Sequence, residues 1–581
     1  MAGSLQAACL RAAVLTLGGV LAALAAMPHL SGNFAGLVIL FFPAQDAPTL
    51  LAAGVLLWAL ARFPLPRRVA DWAMAAFRRP VAASAAIAAV AVGITAFGAF
   101  HGVGGFDVSR DEIMADFDAT ILRSGHLLAP IVPAWRPFHA ALEPLFMLPI
   151  PPAAGWVSAY LPGNAAFRAL VGLVVNPDWS GPILVAAAAW ALFGIARRLW
   201  AGEPGVALVC MVLFAACPQV LVTGMTSYAM TIHLTVNLIW LWLLLRDDRR
   251  GHAGAMLTGF VGCGLHQFIF HPLFAAPFLL QLWRRGRHRL AVAYAFAYAV
   301  SILFWINYWS LLLPVGQHAE SAVGGLYFMD RVALLLHGFS LRGVFPMVVN
   351  LMRFLAWEQV FALPLLLAAW PSISRGEGIA RPLAGGLLLT TAAMLVLLPY
   401  QGHGWGYRYL HGLIGNVCLL GGYGWCALTA GRDARDSRAA VAALGAATAV
   451  SLCLLLPFKA GMAAAFIRPY RLAEAAIVRA PADVVLVDWS GLMFADDLVR
   501  NDPFLRNTPK VMDLAALDAA QIATVCRRFR VALFDRREAR ALGLREIDSP
   551  GADPAFLRAR RAELERLHCG VPVPVGARGA P

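Results

Sequence analysis

The sequence predicts an α-helical polytopic membrane protein, with short helices in an external loop and a small soluble α/β domain at its C-terminal end. Three observations predict this. The 581 residues are 60% hydrophobic and 14% charged, with a mean hydropathy of +0.68, which is more apolar surface than one soluble core buries. That surface arrives in long uncharged runs. Beyond about residue 480 the pattern changes to short strands alternating with a helix.

Runs of spanning length lie near 8–28, 47–62, 81–100, 181–199, 203–222, 228–246, 253–269, 271–284, 288–308, 357–372, 381–399, 409–429 and 438–457, about thirteen transmembrane helices. The segment 34–42 is too short to span and ends at Pro43, so it reads as interfacial or re-entrant. The first run lacks a convincing small-residue cleavage site and is read as the first span. Basic residues cluster at Arg67-Arg68 with Arg78-Arg79, at Arg197-Arg198, at Arg246 with Arg249-Arg250, at Arg284-Arg285 with Arg287, and from Arg432 to Arg438. Under this map all fall on one side, which is therefore cytoplasmic. The clustering also accounts for the net charge of +14 without nucleic acid as a partner.

Three domains follow: 1–80 with two N-terminal spans and a basic cytoplasmic loop, 81–457 as the main membrane domain, and 458–581 as an external α/β domain. Within the second, the external loop 101–180 carries Pro-punctuated apolar segments at 138–150, 156–161 and 165–175, read as short helices along the membrane surface. A second external loop, about 309–356, carries His318, Glu320, Asp330, Arg331 and His337. In the tail, 483–488 and 530–535 read as strands flanking a helix near 516–528. No nucleotide-binding glycine motif accompanies them. Of nine cysteines, most sit inside apolar runs as small fillers. Cys526 and Cys569 lie in the tail, where a disulfide and two free thiols are both open.

The densest charge follows the third run. Asp107, Asp111, Glu112, Asp116 and Asp118 stand within twelve residues. Ser109 with Glu112 three residues on fits a capping box, and Asp111 suits a helix N-terminus. The alternative is that Asp111 and Glu112 face a polar cavity at the membrane surface, one of them as a general base. Other polar positions map to the same face: Tyr228 and His233, His266 and His271, and the loop His403-Gly404-Trp405-Gly406-Tyr407-Arg408-Tyr409. The histidines also suit helix ends, and Trp405, Tyr407 and Tyr409 an interfacial aromatic belt. Arg408 at the mouth of a span asks for an anionic partner, and a lipid phosphate is the obvious one.

Asp111-Glu112 in the first large external loop, followed by Phe117 and Ser124-Gly125-His126-Leu127, resembles the Asp-Glu motif of GT-C glycosyltransferases of the protein mannosyltransferase and aminoarabinose transferase type. Gly406-Tyr407-Arg408-Tyr409-Leu410 is similar to a Gly-x-Arg-Tyr-Leu pattern of bacterial members. The resemblance covers roughly 81–457. The chain departs from it in its two extra N-terminal spans, in its external tail, and in lacking the Trp-Trp-Asp-Tyr-Gly motif of oligosaccharyltransferases.

The resemblance implies inverting transfer of one sugar from a polyprenyl-phosphate donor to an acceptor hydroxyl on lipid, glycan or protein. It also implies a multi-pass protein among the lipids of a bacterial inner membrane, acting on the extracytoplasmic side. Asp111 matches the catalytic aspartate, and Glu112 would orient Asp111 or the acceptor. Arg408 is expected to hold the donor phosphate, with His403, His266 and His271 as further candidates. Asp107, Asp116, Tyr228, Tyr407 and Tyr409 are expected around the substrate. A monophosphate leaving group requires no cofactor, although Asp107, Asp111 and Asp116 are the set that would hold a divalent metal. The competing reading is a multi-span transporter or a flippase for lipid-linked sugars.

Overall fold

The computed structural model describes residues 5–30, 40–143, 146–313, 341–399, 401–431, 434–547 and 553–575. Most of 34–42, and His318, Glu320, Asp330, Arg331 and His337, lie outside these described residues. The chain forms two compact units. The first comprises Met1–Gly104, Asp178–Trp309 and Ala322–Met462, and the second Gly105–Pro177, Ser310–Ser321 and Ala463–Pro581. Residues of the external loop 101–180 thus belong to the same unit as the C-terminal tail.

Among the described residues, eight helices are long and apolar enough to cross a membrane, or ten if each of two bent pairs is one span. They include both N-terminal runs, as Leu5–Leu30 and Phe42–Arg62. The difference from thirteen has local causes. The runs at 253–269 and 271–284 form the helices Arg249–Cys263 and Phe270–Arg284, of 15 residues each. At 1.5 Å per residue these reach only about 22 Å, short of a hydrocarbon core of about 30 Å.

The run at 203–222 breaks into Pro204–Ala215 and Pro218–Gly224, bent by 55°, where Pro218 cannot continue the hydrogen-bond ladder. Helices Val344–Trp357 and Ala362–Ala368 meet at 109°. Their elbow keeps its backbone satisfied: the Phe361 N–H donates to Gln359 Oε1 at 2.6 Å and the Val360 N–H to Ser451 Oγ at 3.3 Å. Such partners are required where water is absent.

One cluster of polar groups buried in the first unit is likewise paired. Asp46, fully buried, accepts from Arg353 at 2.8 Å and from the Trp357 indole at 2.7 Å. Lys459 donates to Thr49 at 3.2 Å and lies 4.2 Å from the centre of the Trp357 ring. Removing one member would strand the other's charge in a low-dielectric interior.

The second unit holds a parallel sheet of β1 (Val484–Val487), β2 (Lys510–Asp513), β3 (Val531–Phe534) and β4 (Val571–Pro572), in the order β2-β1-β3-β4. All four residues of the central β1 are buried, as a run without alternation requires when both faces are covered. The strands expected at 483–488 and 530–535 are present, and the expected helix is Ala519–Arg528, started by a capping box of Asp518 and Gln521.

In the loop, the expected helix at 165–175 is Gly163–Gly172, and among the described residues of 138–150 only the single turn His139–Leu142 is helical beyond a tighter turn at Arg136–Phe138. The stretch 156–161 is not helical. Trp156 and Ser158 make antiparallel bridges to Ala129 and Met147. Gly155, at φ +113°, turns the chain where a Cβ would stand 2.5 Å from the Ala129 carbonyl oxygen, and Pro162 ends the segment before a helical turn can propagate.

Cys526 and Cys569 form a disulfide with Cα atoms 5.8 Å apart, joining the helix Ala519–Arg528 to the residues after Ala555–Arg566. Closing a 43-residue separation constrains the unfolded chain by roughly 4 kcal/mol on a chain-entropy view. Alkylation of the non-reduced protein is therefore expected to spare both residues, and Cys569→Ser to lower the urea midpoint clearly. Labelling of both cysteines without reductant would contradict the bond.

Candidate active site

In the second unit, the helix Arg110–Arg123 starts on the capping box that the sequence foretold. The Glu112 carboxylate reaches back to accept from the Ser109 N–H at 3.1 Å, the Ser109 hydroxyl at 3.0 Å and the Val108 N–H at 3.3 Å. Glu112 is buried, and burial lifts its carboxyl to about 7 against the pull of these bonds. Its side chain is thus committed to the helix start, which fixes the adjacent Asp111. The carboxyl of Asp111, partly exposed, accepts a hydrogen bond from the Tyr160 hydroxyl.

The remaining acids are distributed among cations. Asp116 pairs with Arg168 at 2.5 Å, and Arg168 is almost wholly buried. Loss of solvent, then the facing Asp116 and Glu112, hold the Asp107 carboxyl well above the usual range, and it shares a hydrogen bond with Asp116. The backbone oxygen of Asp107 accepts from Arg500 at 2.5 Å. Arg110 pairs with Asp496 and, at 2.6 Å, with Asp497. Tyr160, Arg168, Arg500 and the acids at 496 and 497 carry no local sequence signal, since their partners stand between 49 and 393 positions away.

Among the described residues, no three His, Cys, Asp or Glu side chains are placed to hold a metal ion. Asp107, Asp111 and Asp116, the three named as able to hold one, divide between Asp107 with Asp116 and Asp111 with Tyr160.

One further carboxylate stiffens this region. Asp118 accepts from the Ser158 N–H at 3.0 Å and from its hydroxyl, which pins the extended 156–160 segment to the helix. Burial lifts its carboxyl to about 7 as well. Because the folded forms of Asp118 and Glu112 hold their protons more tightly than the unfolded chain does, their contribution to stability falls as pH rises from about 4 towards 7. Thermal unfolding is expected at a lower temperature at pH 8 than at pH 5.5, with a smaller difference in Asp118→Asn. An equal difference in wild type and Asp118→Asn would contradict this assignment.

In the first unit, the polar loop before the helix Ile414–Thr429 is held rigidly. Gln401, fully buried, donates to the Gly406 carbonyl at 2.9 Å and accepts from the Arg408 N–H at 2.8 Å. Gln219 donates to the Tyr407 carbonyl at 3.0 Å. Gly406 has φ +67°, and a Cβ there would stand 2.6 Å from Gln219 Oε1. At Gly404 a Cβ would meet Arg408 Cδ at 2.2 Å, so the glycine is what lets the arginine stem pass. The Gly404 carbonyl accepts from Arg353, the same residue that pairs with Asp46.

This loop delivers Arg408, 7% exposed, to the wall of a small, partly open cavity. Its guanidinium carbon lies 5.0 Å from the centre of the Tyr228 ring and 5.9 Å from that of Tyr409. Tyr409 stacks on Phe270 at 5.7 Å, and both line the cavity.

The other expected residues are placed differently. The Tyr228 hydroxyl bonds to His403, at 3.1 Å from both its Nδ1 and its backbone oxygen, so His403 supports the ring beneath Arg408. His271 is fully buried, with Nδ1 at 2.7 Å from Asn237 Oδ1 and Nε2 at 2.8 Å from the Tyr298 hydroxyl. Asn237 in turn donates to the Gly412 carbonyl at 2.8 Å. His271 thereby braces a cavity wall from behind. His266 stands half-buried in the turn between Arg249–Cys263 and Phe270–Arg284. Tyr407 is fully buried with its hydroxyl on Met347 Sδ at 3.6 Å.

No protein-family model matches the sequence, and no curated protein matches it. Among solved structures, the chain is similar to ArnT from Cupriavidus metallidurans bound to undecaprenyl phosphate, with a TM-score of 0.46 and 13% identity, covering 74% of this chain and 85% of that one. The apo state of the same protein gives a TM-score of 0.42 at the same identity and coverage.

Proposed function

We propose that the chain is a GT-C-type glycosyltransferase that moves one sugar from a polyprenyl-phosphate donor to an acceptor hydroxyl, on the extracytoplasmic side of a bacterial inner membrane. The observation that carries the reading is the placement of Arg408: an obligate cation, almost wholly buried among aromatic rings, on the wall of a largely apolar cavity. A cation in such surroundings suits an anion borne on an apolar chain better than a free, strongly hydrated one.

In this reading Arg408 holds the donor phosphate and stabilises the charge that develops on it as the glycosidic bond breaks. Asp111 takes the acceptor proton as the acceptor oxygen attacks the anomeric carbon from the opposite face, so the configuration inverts. Glu112 acts through the capping box, fixing the first helical turn and with it Asp111. Asp107 and Asp116, joined by a shared hydrogen bond and by Arg168, flank the acceptor side, while Tyr228 and His403 seat the guanidinium.

Buried ionisable residues of the first unit, namely Asp46, Arg353, Glu358 and Lys459, favour the alternative of a transporter or flippase. The lipid-linked sugar profile of a strain lacking the gene separates the two. Transfer predicts that one intact polyprenyl-phosphate sugar accumulates while its acceptor stays unmodified. An unchanged profile would count against transfer.

A further inference from the structure

Two buried polar side chains on the cavity of Arg408 have polar atoms that find no hydrogen-bond partner among the described residues. His233 opens the helix Met230–Leu244, is 4% exposed, and lines the cavity with its ring edge-on to Phe270 at 5.6 Å. Neither ring nitrogen finds a hydrogen-bond partner among the described residues. Thr390 lies on another helix, Ala380–Leu397, is 1% exposed and lines the same cavity, and its hydroxyl also finds no partner among them.

The contrast with their neighbours is sharp. In the same wall Asn237 has both ends of its amide engaged, by His271 and by Gly412. A buried donor left without a partner is costly, so two around one cavity mark groups kept for something that enters it.

We infer that His233 and Thr390 join Arg408 as a three-point cradle for the phosphate end of a prenyl monophosphate. This rests on the transfer reading and extends it by naming the groups that recognise the lipid. The three residues come from separate elements, Met230–Leu244, Ala380–Leu397 and Arg408–Leu413. They offer an imidazole N–H, a hydroxyl and a guanidinium, all donors suited to anionic oxygens.

Met230, Phe270, Tyr409 and Leu413 supply the rest of the wall. That apolar surface suits the first isoprene units, and it is the reason to expect the lipid ester over free phosphate. The sequence marks His233 only as one polar position among several on that face and Thr390 not at all, since a histidine and a threonine within apolar helices are most often satisfied core residues.

The test is binding of farnesyl phosphate to the full chain in nanodiscs, with inorganic phosphate and farnesol as competitors. Wild type is expected to bind farnesyl phosphate, with inorganic phosphate competing at least 100-fold more weakly. Thr390→Val, which removes only the hydroxyl, and His233→Leu are each expected to weaken binding about 10-fold, as for loss of one bond to a charged group. His233→Gln, which keeps a donor, should recover most of that loss.

Wild-type affinity in Thr390→Val and His233→Leu would overturn the cradle while leaving the transfer reading intact. If His233→Leu fails to fold, wild-type affinity in Thr390→Val alone overturns it. Equal competition by inorganic phosphate would overturn the lipid assignment. No binding of farnesyl phosphate to wild type would remove both the cradle and the phosphate role of Arg408.

Discussion

Asp111→Asn is expected to abolish sugar transfer, lowering turnover by about 10²–10⁴-fold, the range of a lost general base, with donor affinity near wild type. The amide keeps the size of the carboxylate and its oxygen still accepts from Tyr160, so the change removes the base and little else. The protein should remain folded, because the helix start is secured by Ser109 and Glu112 and not by Asp111. Ser109→Ala supplies the contrast. It removes one partner of the Glu112 carboxylate and costs about 1 kcal/mol of stability, with transfer largely retained. Near-normal turnover in Asp111→Asn would leave this helix as a capped structural element.

Arg408→Ala is expected to weaken donor binding about 10–100-fold, as for loss of a hydrogen-bonded charge, and to leave acceptor affinity unchanged. Arg408→Lys should restore only part of the loss, since an ammonium is more strongly hydrated and cannot present the planar fork that stacks over Tyr228. Donor titrations at saturating acceptor, and the reverse, separate these effects. Equal losses for both substrates would point to collapse of the Gln401–Arg408 loop and not to a lost phosphate contact.

The parts of this molecule that were legible in its sequence are those with local causes. Ser109 and Glu112 stand at capping-box spacing, and the helix begins there. The runs at residues 8–28 and 47–62, with one arginine each, are apolar for long enough to become the helices Leu5–Leu30 and Phe42–Arg62. Strands β1 and β3 are unbroken apolar stretches.

What was not legible depends on distant partners. Strand β2 is four residues beginning at a lysine, and it is a strand because it pairs with β1. The bend at Pro218 sits inside hydropathy that reads as continuous, and Leu341–Trp357, read as the end of an external loop, is a helix that meets the next at 109°. Arg110 finds its acids nearly four hundred residues away. His271 read as a ligand candidate because its setting is polar, yet Asn237 and Tyr298 occupy both its nitrogens. His233, equally ambiguous in sequence, is the one that finds no such partners among the described residues.

The most direct measurement of the central claim follows a radiolabelled polyprenyl-phosphate sugar in liposomes that contain the purified chain and acceptor-bearing membranes. Transfer predicts that the label leaves the polyprenyl phosphate for an acceptor hydroxyl with inverted anomeric configuration, and that one polyprenyl monophosphate is released per sugar moved. Label that crosses the bilayer still attached to its lipid would contradict the account and establish transport instead.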